Sequence, residues 1–168
     1  MTIQANDDAK GTAWVVMGVS GCGKSSVGAL LAAKLGIPFI EGDAFHSEAN
    51  VAKMSAGIAL TDDDRYDWLV TLRDKLAARK AGAVLSCSSL KRAYRDLLRS
   101  AGGDVRFVHL AGERGLLEQR VSNRPGHYMP SSLLDSQLRT LEPLQPDEAG
   151  ITLDISDTPE QLVAQILA

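Results

Sequence analysis

An α/β fold, with a five-stranded parallel sheet and helices on both faces, is predicted by three observations. Short apolar runs alternate with segments of helical period along most of the chain. A glycine-rich loop, GVSGCGKSS, stands between the first apolar run and the first periodic segment. Capping signals mark two helix starts, at Thr61 and Thr158. The 168 residues suit one domain, and 45% hydrophobic with 23% charged residues is a globular composition.

Residues 1–12 read as a frayed polar tail before the single domain 13–168. Ala13–Met17 (AWVVM) reads as a buried strand, and the helix after the loop runs from about Gly23 to Leu35. Gly36 stops it, and Ile37–Glu41 (IPFIE) is the second strand. Thr61 is placed to cap a helix reaching about Lys80. Its first turn holds Asp62, Asp63 and Asp64, and Leu69, Leu72 and Leu76 form its apolar stripe. Ala83–Cys87 is the third strand, Ser89–Ser100 a basic helix, Val105–Leu110 the fourth strand and Glu113–Asn123 a helix. Ile151–Ile155 is the fifth strand. The last helix opens T-P-E-Q, with Thr158 at the N-cap, Pro159 at the first position and Gln161 closing a capping box. Residues 42–60 and 124–150 are polar or irregular, and such excursions at strand carboxyl ends are where α/β sheets handle ligands.

Charge and cysteine usage narrow the function. A formal net charge of −3 gives no general attraction to nucleic acid or to an anionic membrane, so anion binding must come from local clusters. Cys22 and Cys87 lack the spacing of a metal knuckle or a disulfide scaffold. The opening MTIQANDDAKGT carries no basic-then-apolar leader, and no apolar run has the length of a membrane span; a cytoplasmic protein is the expectation.

The loop supplies the chemistry. Gly18 to Ser25 matches G-x-x-x-x-G-K-[ST] between a strand and a helix. Glycines let successive backbone N–H groups converge on a phosphate, and the helix N-terminus adds a favourable dipole. Lys24 reaches the outer phosphates, and the Ser25 hydroxyl suits Mg2+, which prefers oxygen ligands. The expected nucleotide contacts are Gly18, Ser20, Gly21, Cys22, Gly23, Lys24, Ser25 and Ser26, in a P-loop NTPase fold that takes ATP and Mg2+. A plain strand-to-helix turn is the competing reading, and Lys-Ser at the helix start disfavours it.

Within that fold, a GTPase would show an Asn-Lys-x-Asp reader, which is lacking here. The third strand ends AVLSCSSLK, with no acid to hold Mg2+, whereas the second ends Glu41-Gly42-Asp43. Asp43 therefore becomes the carboxylate beside the acceptor hydroxyl and a second candidate for holding Mg2+ through water. Arg120 and Arg124, leading into Pro-Gly-His, have the makings of a lid over about 120–131 that brings mobile cations to the phosphoryl group.

Three blocks, EGDAFHSEANVAKMSAGIALTDDDRYDWL, CSSLKRAYRDLLR and RPGHYMPSSLLDSQLRTLE, resemble in order and spacing the gluconokinases of the P-loop kinase type. The chain departs from the family pattern at Cys22, Ser47, Ala59, Asp67 and Ser89, mostly backbone-shaping positions. The resemblance implies phosphoryl transfer from ATP to the terminal hydroxyl of D-gluconate, without nucleic acid or membrane, and with a homodimer as an open expectation. A shikimate-type or other polyhydroxy-acid kinase is the nearest alternative, followed by a regulator that binds nucleotide without turnover. It also implies catalytic roles for Lys24, Asp43, Arg120 and Arg124. A polyol acid needs cations for its carboxylate and mixed donors and acceptors for its hydroxyls. Within 42–60 and beyond, Asp43, His46, Lys53, Arg65, Lys91, His127 and Gln137 supply that mixture, with Arg92 and Arg95 as further cations.

Each has a plainer reading. Asp43 suits an Asx-turn, His46 a solvated loop, and Arg65 a helix-surface pair with Asp62. Lys91, Arg92 and Arg95 suit an exposed basic face, and Arg120 and Arg124 an ordinary surface. Gln137 lies beside a core stripe of Leu133, Leu134, Leu138 and Leu141.

Overall fold

Five parallel strands lie side by side in the order β2-β3-β1-β4-β5: β1 (Ala13–Met17), β2 (Phe39–Glu41), β3 (Ala83–Ser86), β4 (Val105–Ala111) and β5 (Gly150–Asp154). This is a computed structural model, and it describes residues 11–122 and 131–168. The helices are α1 (Lys24–Leu35), α2 (Glu48–Ser55), α3 (Asp62–Ala77), α4 (Arg92–Arg99), α5 (Arg114–Ser122), α6 (Ser131–Thr140) and α7 (Pro159–Leu167). Helices α1 and α7 pack together on one side of the sheet, and α3 packs with α4. The central strands are apolar on both faces, with Val15, Val16, Met17, Val84, Leu85, Phe107 and Val108 all buried, as parallel strands sandwiched between helices must be. Among the described residues, no helix is long and apolar enough to cross a membrane.

The sheet positions the site. Strand β1 lies between β3 and β4, and the chain leaves it toward β2, so the strand order reverses beside β1. The loop after β1 and the turn after β2 therefore meet at the carboxyl edge, at the switch point where such folds bind ligands.

The structure revises several boundaries. The stretch 42–60 is structured: a 3-10 turn spans Gly42–Phe45, and α2 follows, capped by Ser47, whose hydroxyl accepts from the Asn50 amide at 3.1 Å. Helix α2 is short and polar, so it shows no apolar stripe; tertiary bonds hold it. Asn50 Nδ2 donates to the Asp64 carbonyl at 2.8 Å, and Lys53 pairs with the Asp64 carboxylate at 2.9 Å. Helix α6 occupies part of 124–150, with Leu133 and Leu134 buried as the leucine stripe required. Helix α4 starts at Arg92 rather than Ser89, because Ser89 has φ 50, a left-handed conformation that no α-helix contains. Strand β5 begins one residue early, at Gly150, and α3 ends at Ala77. Both threonine caps form with their third-position partners: Thr61 with Asp64, and Thr158 with Gln161.

Arg95, a candidate acceptor cation in the sequence, is instead a core residue. It is 0% exposed, and its Nε donates to Glu148 Oε1 at 2.7 Å, with Arg99 joining the same carboxylate at 2.8 Å. This buried pair ties the segment before β5 to α4. Burial alone would raise the Glu148 carboxyl, but hydrogen bonds from Arg95, the Gln145 amide and Arg99 bring it down to about 2. A carboxyl depressed on folding stabilises the fold above its unfolded value of 4.5 and loses that contribution as pH falls toward about 2. Glu148→Gln should cost about 3–5 kcal/mol, because it leaves Arg95 buried without its counter-charge. It should also flatten the acid limb of stability, and thermal melts from neutral to acid pH check both; an unchanged acid limb would assign acid sensitivity elsewhere.

Candidate active site

The loop after β1 turns back over the start of α1. Gly23, its N-cap, has φ 93, a left-handed conformation that a β-carbon would strain, and no side chain caps the helix. The first-turn N–H groups of α1 are thus left for an anion, and no acidic residue stands in that turn to compete. Lys24 folds back, its ammonium donating to the Val19 carbonyl at 3.2 Å.

Strand β2 brings an acid to this loop that the sequence reading did not assign. Ser25 Oγ donates to Glu41 Oε2 at 2.6 Å, and Ser86 Oγ donates to Glu41 Oε1, also at 2.6 Å. Glu41 and Ser86 are register partners on neighbouring strands. The third strand therefore needs no acid of its own, because its terminal serine borrows one from β2. The residue placed behind the Ser25 hydroxyl is Glu41, not Asp43. The available signal was the acid two places before Asp43 at the end of a strand, and its pairing with β3 was what the chain order concealed.

Asp43 is held by its neighbours rather than by its own carboxylate. The Gly42 amide donates to Ser86 Oγ at 3.2 Å, and Trp68 Nε1 donates to the Gly42 carbonyl at 2.8 Å. A β-carbon on Gly42 would lie 2.0 Å from the Ser86 carbonyl oxygen, so only glycine lets β2 and β3 approach this closely. This anchoring leaves the Asp43 side chain 74% exposed, facing the loop. His46, three residues on, is the reverse: its side chain is 4% exposed, its ring stacks on Trp68 at 4.0 Å, and Nε2 lies 3.9 Å from Asp43 Oδ1. Burial lowers the His46 pKa, Asp43 opposes that, and Arg65 adds to it, so the imidazole is neutral at physiological pH. Trp68, a buried residue of α3, thus also fixes the Asp43 turn through the Gly42 carbonyl and the His46 ring.

One cavity of about 630 Å³ gathers the loop from Ser20 to Ser26, Asp43 and Arg120. Its far side is formed by Leu116 and Gln119 of α5 and by Asp157, Pro159 and Leu162 around the start of α7. Arg120 donates Nη2 to the Ile155 carbonyl at 2.7 Å, and its Nη1 lies beside Gly23. Gln137, expected at the acceptor, meets the phosphate loop instead: its Oε1 accepts from the Ser20 amide at 2.8 Å. Lys53 pairs with Asp64, Lys91 with Asp62, and Arg92 with Asp147. Arg65 donates Nη1 to the Tyr94 hydroxyl at 2.9 Å. Arg124 and His127 lie outside the described residues.

The residues fit Mg2+. A serine hydroxyl backed by a carboxylate provides hard oxygen donors, and no cluster of three or more His, Cys, Asp or Glu among the described residues competes for a softer metal.

A glycine-rich loop cradling a helix start, with an acid behind its serine and a second carboxylate across one cavity, defines a P-loop protein that handles nucleoside triphosphates. The AAA domain family matches residues 14–144, and the curated gluconokinase of Gluconobacter oxydans (strain 621H) is 48% identical over 156 residues, covering 91% of this chain and 88% of that protein. The chain belongs to the gluconokinase family. The crystal structure of a gluconokinase from Sinorhizobium meliloti 1021 superposes with a TM-score of 0.87 at 48% identity, covering 94% of this chain and 90% of that one. A shikimate kinase from Acinetobacter baumannii shares the fold, with a TM-score of 0.62 at 22% identity over 93% of this chain and 90% of its own.

Proposed function

We propose that the protein transfers the γ-phosphoryl group of ATP to the terminal hydroxyl of D-gluconate, giving 6-phospho-D-gluconate and ADP in the cytoplasm. The observation that carries this is the shared cavity: the phosphate loop, Asp43 and Arg120 line one space, in a chain 48% identical to a curated gluconokinase.

In this reading the loop amides and Lys24 hold the β- and γ-phosphates. Asp43 orients the acceptor hydroxyl toward the γ-phosphorus. The new P–O bond forms as the bond to the β-bridging oxygen breaks, ADP leaves, and the hydroxyl proton passes to Asp43 and then to solvent. Ser25, with Glu41 behind it, would hold Mg2+, which would supply charge neutralisation for the transferring phosphoryl group. Arg120 adds positive charge beside Gly23, where charge develops on the transferring group.

The test is a panel of acceptors followed by ADP release. D-gluconate should stimulate turnover far above the ATP-only rate, and shikimate should not. Stimulation by shikimate alone would replace the acceptor, and an unstimulated rate with every acceptor would leave a nucleotide-binding regulator. Arg120→Ala should lower kcat more than it raises KM for gluconate, because its charge faces the phosphates rather than the acceptor. A pure KM effect on gluconate would move Arg120 to the acceptor site.

A further inference from the structure

Carboxylates already engage the cations of α2 and α4: Asp64 holds Lys53, Asp147 holds Arg92, and Glu148 holds Arg95 and Arg99. Arg65 makes no ion pair among the described residues. It donates Nη1 to the Tyr94 hydroxyl at 2.9 Å and stands over the tyrosine ring at 5.3 Å. Tyr94 passes the hydrogen bond on to Asp62 Oδ1, and Lys91 donates to the same carboxylate at 3.0 Å while lying 5.7 Å from the same ring. One tyrosine thus gathers two cations, Arg65 from α3 and Lys91 from the turn before α4, around a single carboxylate.

We propose that Tyr94 is a positioning residue for the acceptor's carboxylate: it holds Arg65 and Lys91 as one two-cation receptor, and Asp62 is the resident carboxylate that the acceptor displaces. This rests on the polyhydroxy-acid reading of the acceptor given above. Arg65 has five N–H donors and spends one on Tyr94, which leaves its fork open to bidentate pairing with a carboxylate. The mobile and fixed partners are clear from burial. Asp62 is 66% exposed on its side chain and can turn to water at little cost, whereas Tyr94 is 6% exposed and held in α4. The Tyr94 hydroxyl and Lys91 hold the Asp62 carboxyl below the usual range, so it is ionised at neutral pH and competes with an incoming carboxylate as an anion. Arg65 stands three residues before Trp68 on α3, and Trp68 reaches the Gly42 carbonyl at 2.8 Å, so the receptor lies beside the turn that carries Asp43.

Steady-state kinetics of the full chain with ATP and D-gluconate test this on two variants with opposite expected signs. Tyr94→Phe keeps the ring but removes the hydroxyl. It should raise KM for gluconate about tenfold, the scale of one lost hydrogen bond to a charged group, with kcat and KM for ATP unchanged. Asp62→Asn removes the competing charge and should lower KM for gluconate below the wild-type value. A Tyr94→Phe variant that loses kcat and ATP affinity together would reduce Tyr94 to packing, and an Asp62→Asn variant with raised KM would make Asp62 part of the receptor; either overturns the proposal. These outcomes presuppose wild-type turnover of gluconate. Its absence would remove the acceptor reading itself, whereas normal turnover with unresponsive variants would remove only the receptor.

Discussion

Asp43→Asn should lower kcat for gluconate phosphorylation by about 10²-fold or more, the range for acid–base groups, while KM for gluconate changes little. Asparagine keeps the shape and one acceptor oxygen but loses the charge. A carboxylate is a weak base toward an alcohol, yet in a loose transition state the hydroxyl gives up its proton late, so orientation by a charged acceptor matters more than basicity. The turn that presents Asp43 is fixed through Gly42, by Ser86 on one side and Trp68 on the other, so the substitution should leave the backbone in place. Steady-state kinetics decide it. An intact kcat with a raised KM would make Asp43 a binding residue, and no change in either would place the acceptor elsewhere.

Lys24→Ala should cost about 10²–10³ in rate, the typical loss when one electrostatic contact to the reacting group is removed. It should leave the thermal midpoint unchanged. The side chain is part-exposed, and its strongest contact is the Val19 carbonyl of its own loop, so folding does not depend on it. Near-wild-type kcat in a folded variant would refute the assignment of the loop to ATP.

The parts of the fold legible in the sequence were those specified by near neighbours. The phosphate loop is a contiguous motif with its strand and helix adjacent. The threonine caps act over three residues, β1 is an unbroken apolar run, and β3 and β4 are mostly apolar. What sequence reading missed depends on partners far along the chain. Glu41 acquires its role only when β2 pairs with β3 and brings it to Ser86 and Ser25. Arg95 looked like one more cation on a basic helix, and the carboxylate that buries it, Glu148, arrives from the segment before β5. Gln137 was read toward the acceptor, and α6 turns it to the Ser20 amide. Helix α2 has no stripe to announce it, since Asn50 and Lys53 anchor it through polar bonds to Asp64.

Phosphorus NMR of the reaction of wild-type protein with ATP, Mg2+ and D-gluconate tests the central claim most directly. The claim predicts a new phosphomonoester resonance, split into a triplet by the two protons of the terminal methylene, growing in step with ADP. ADP accompanied only by inorganic phosphate, or an ATP spectrum unchanged by gluconate, would contradict it.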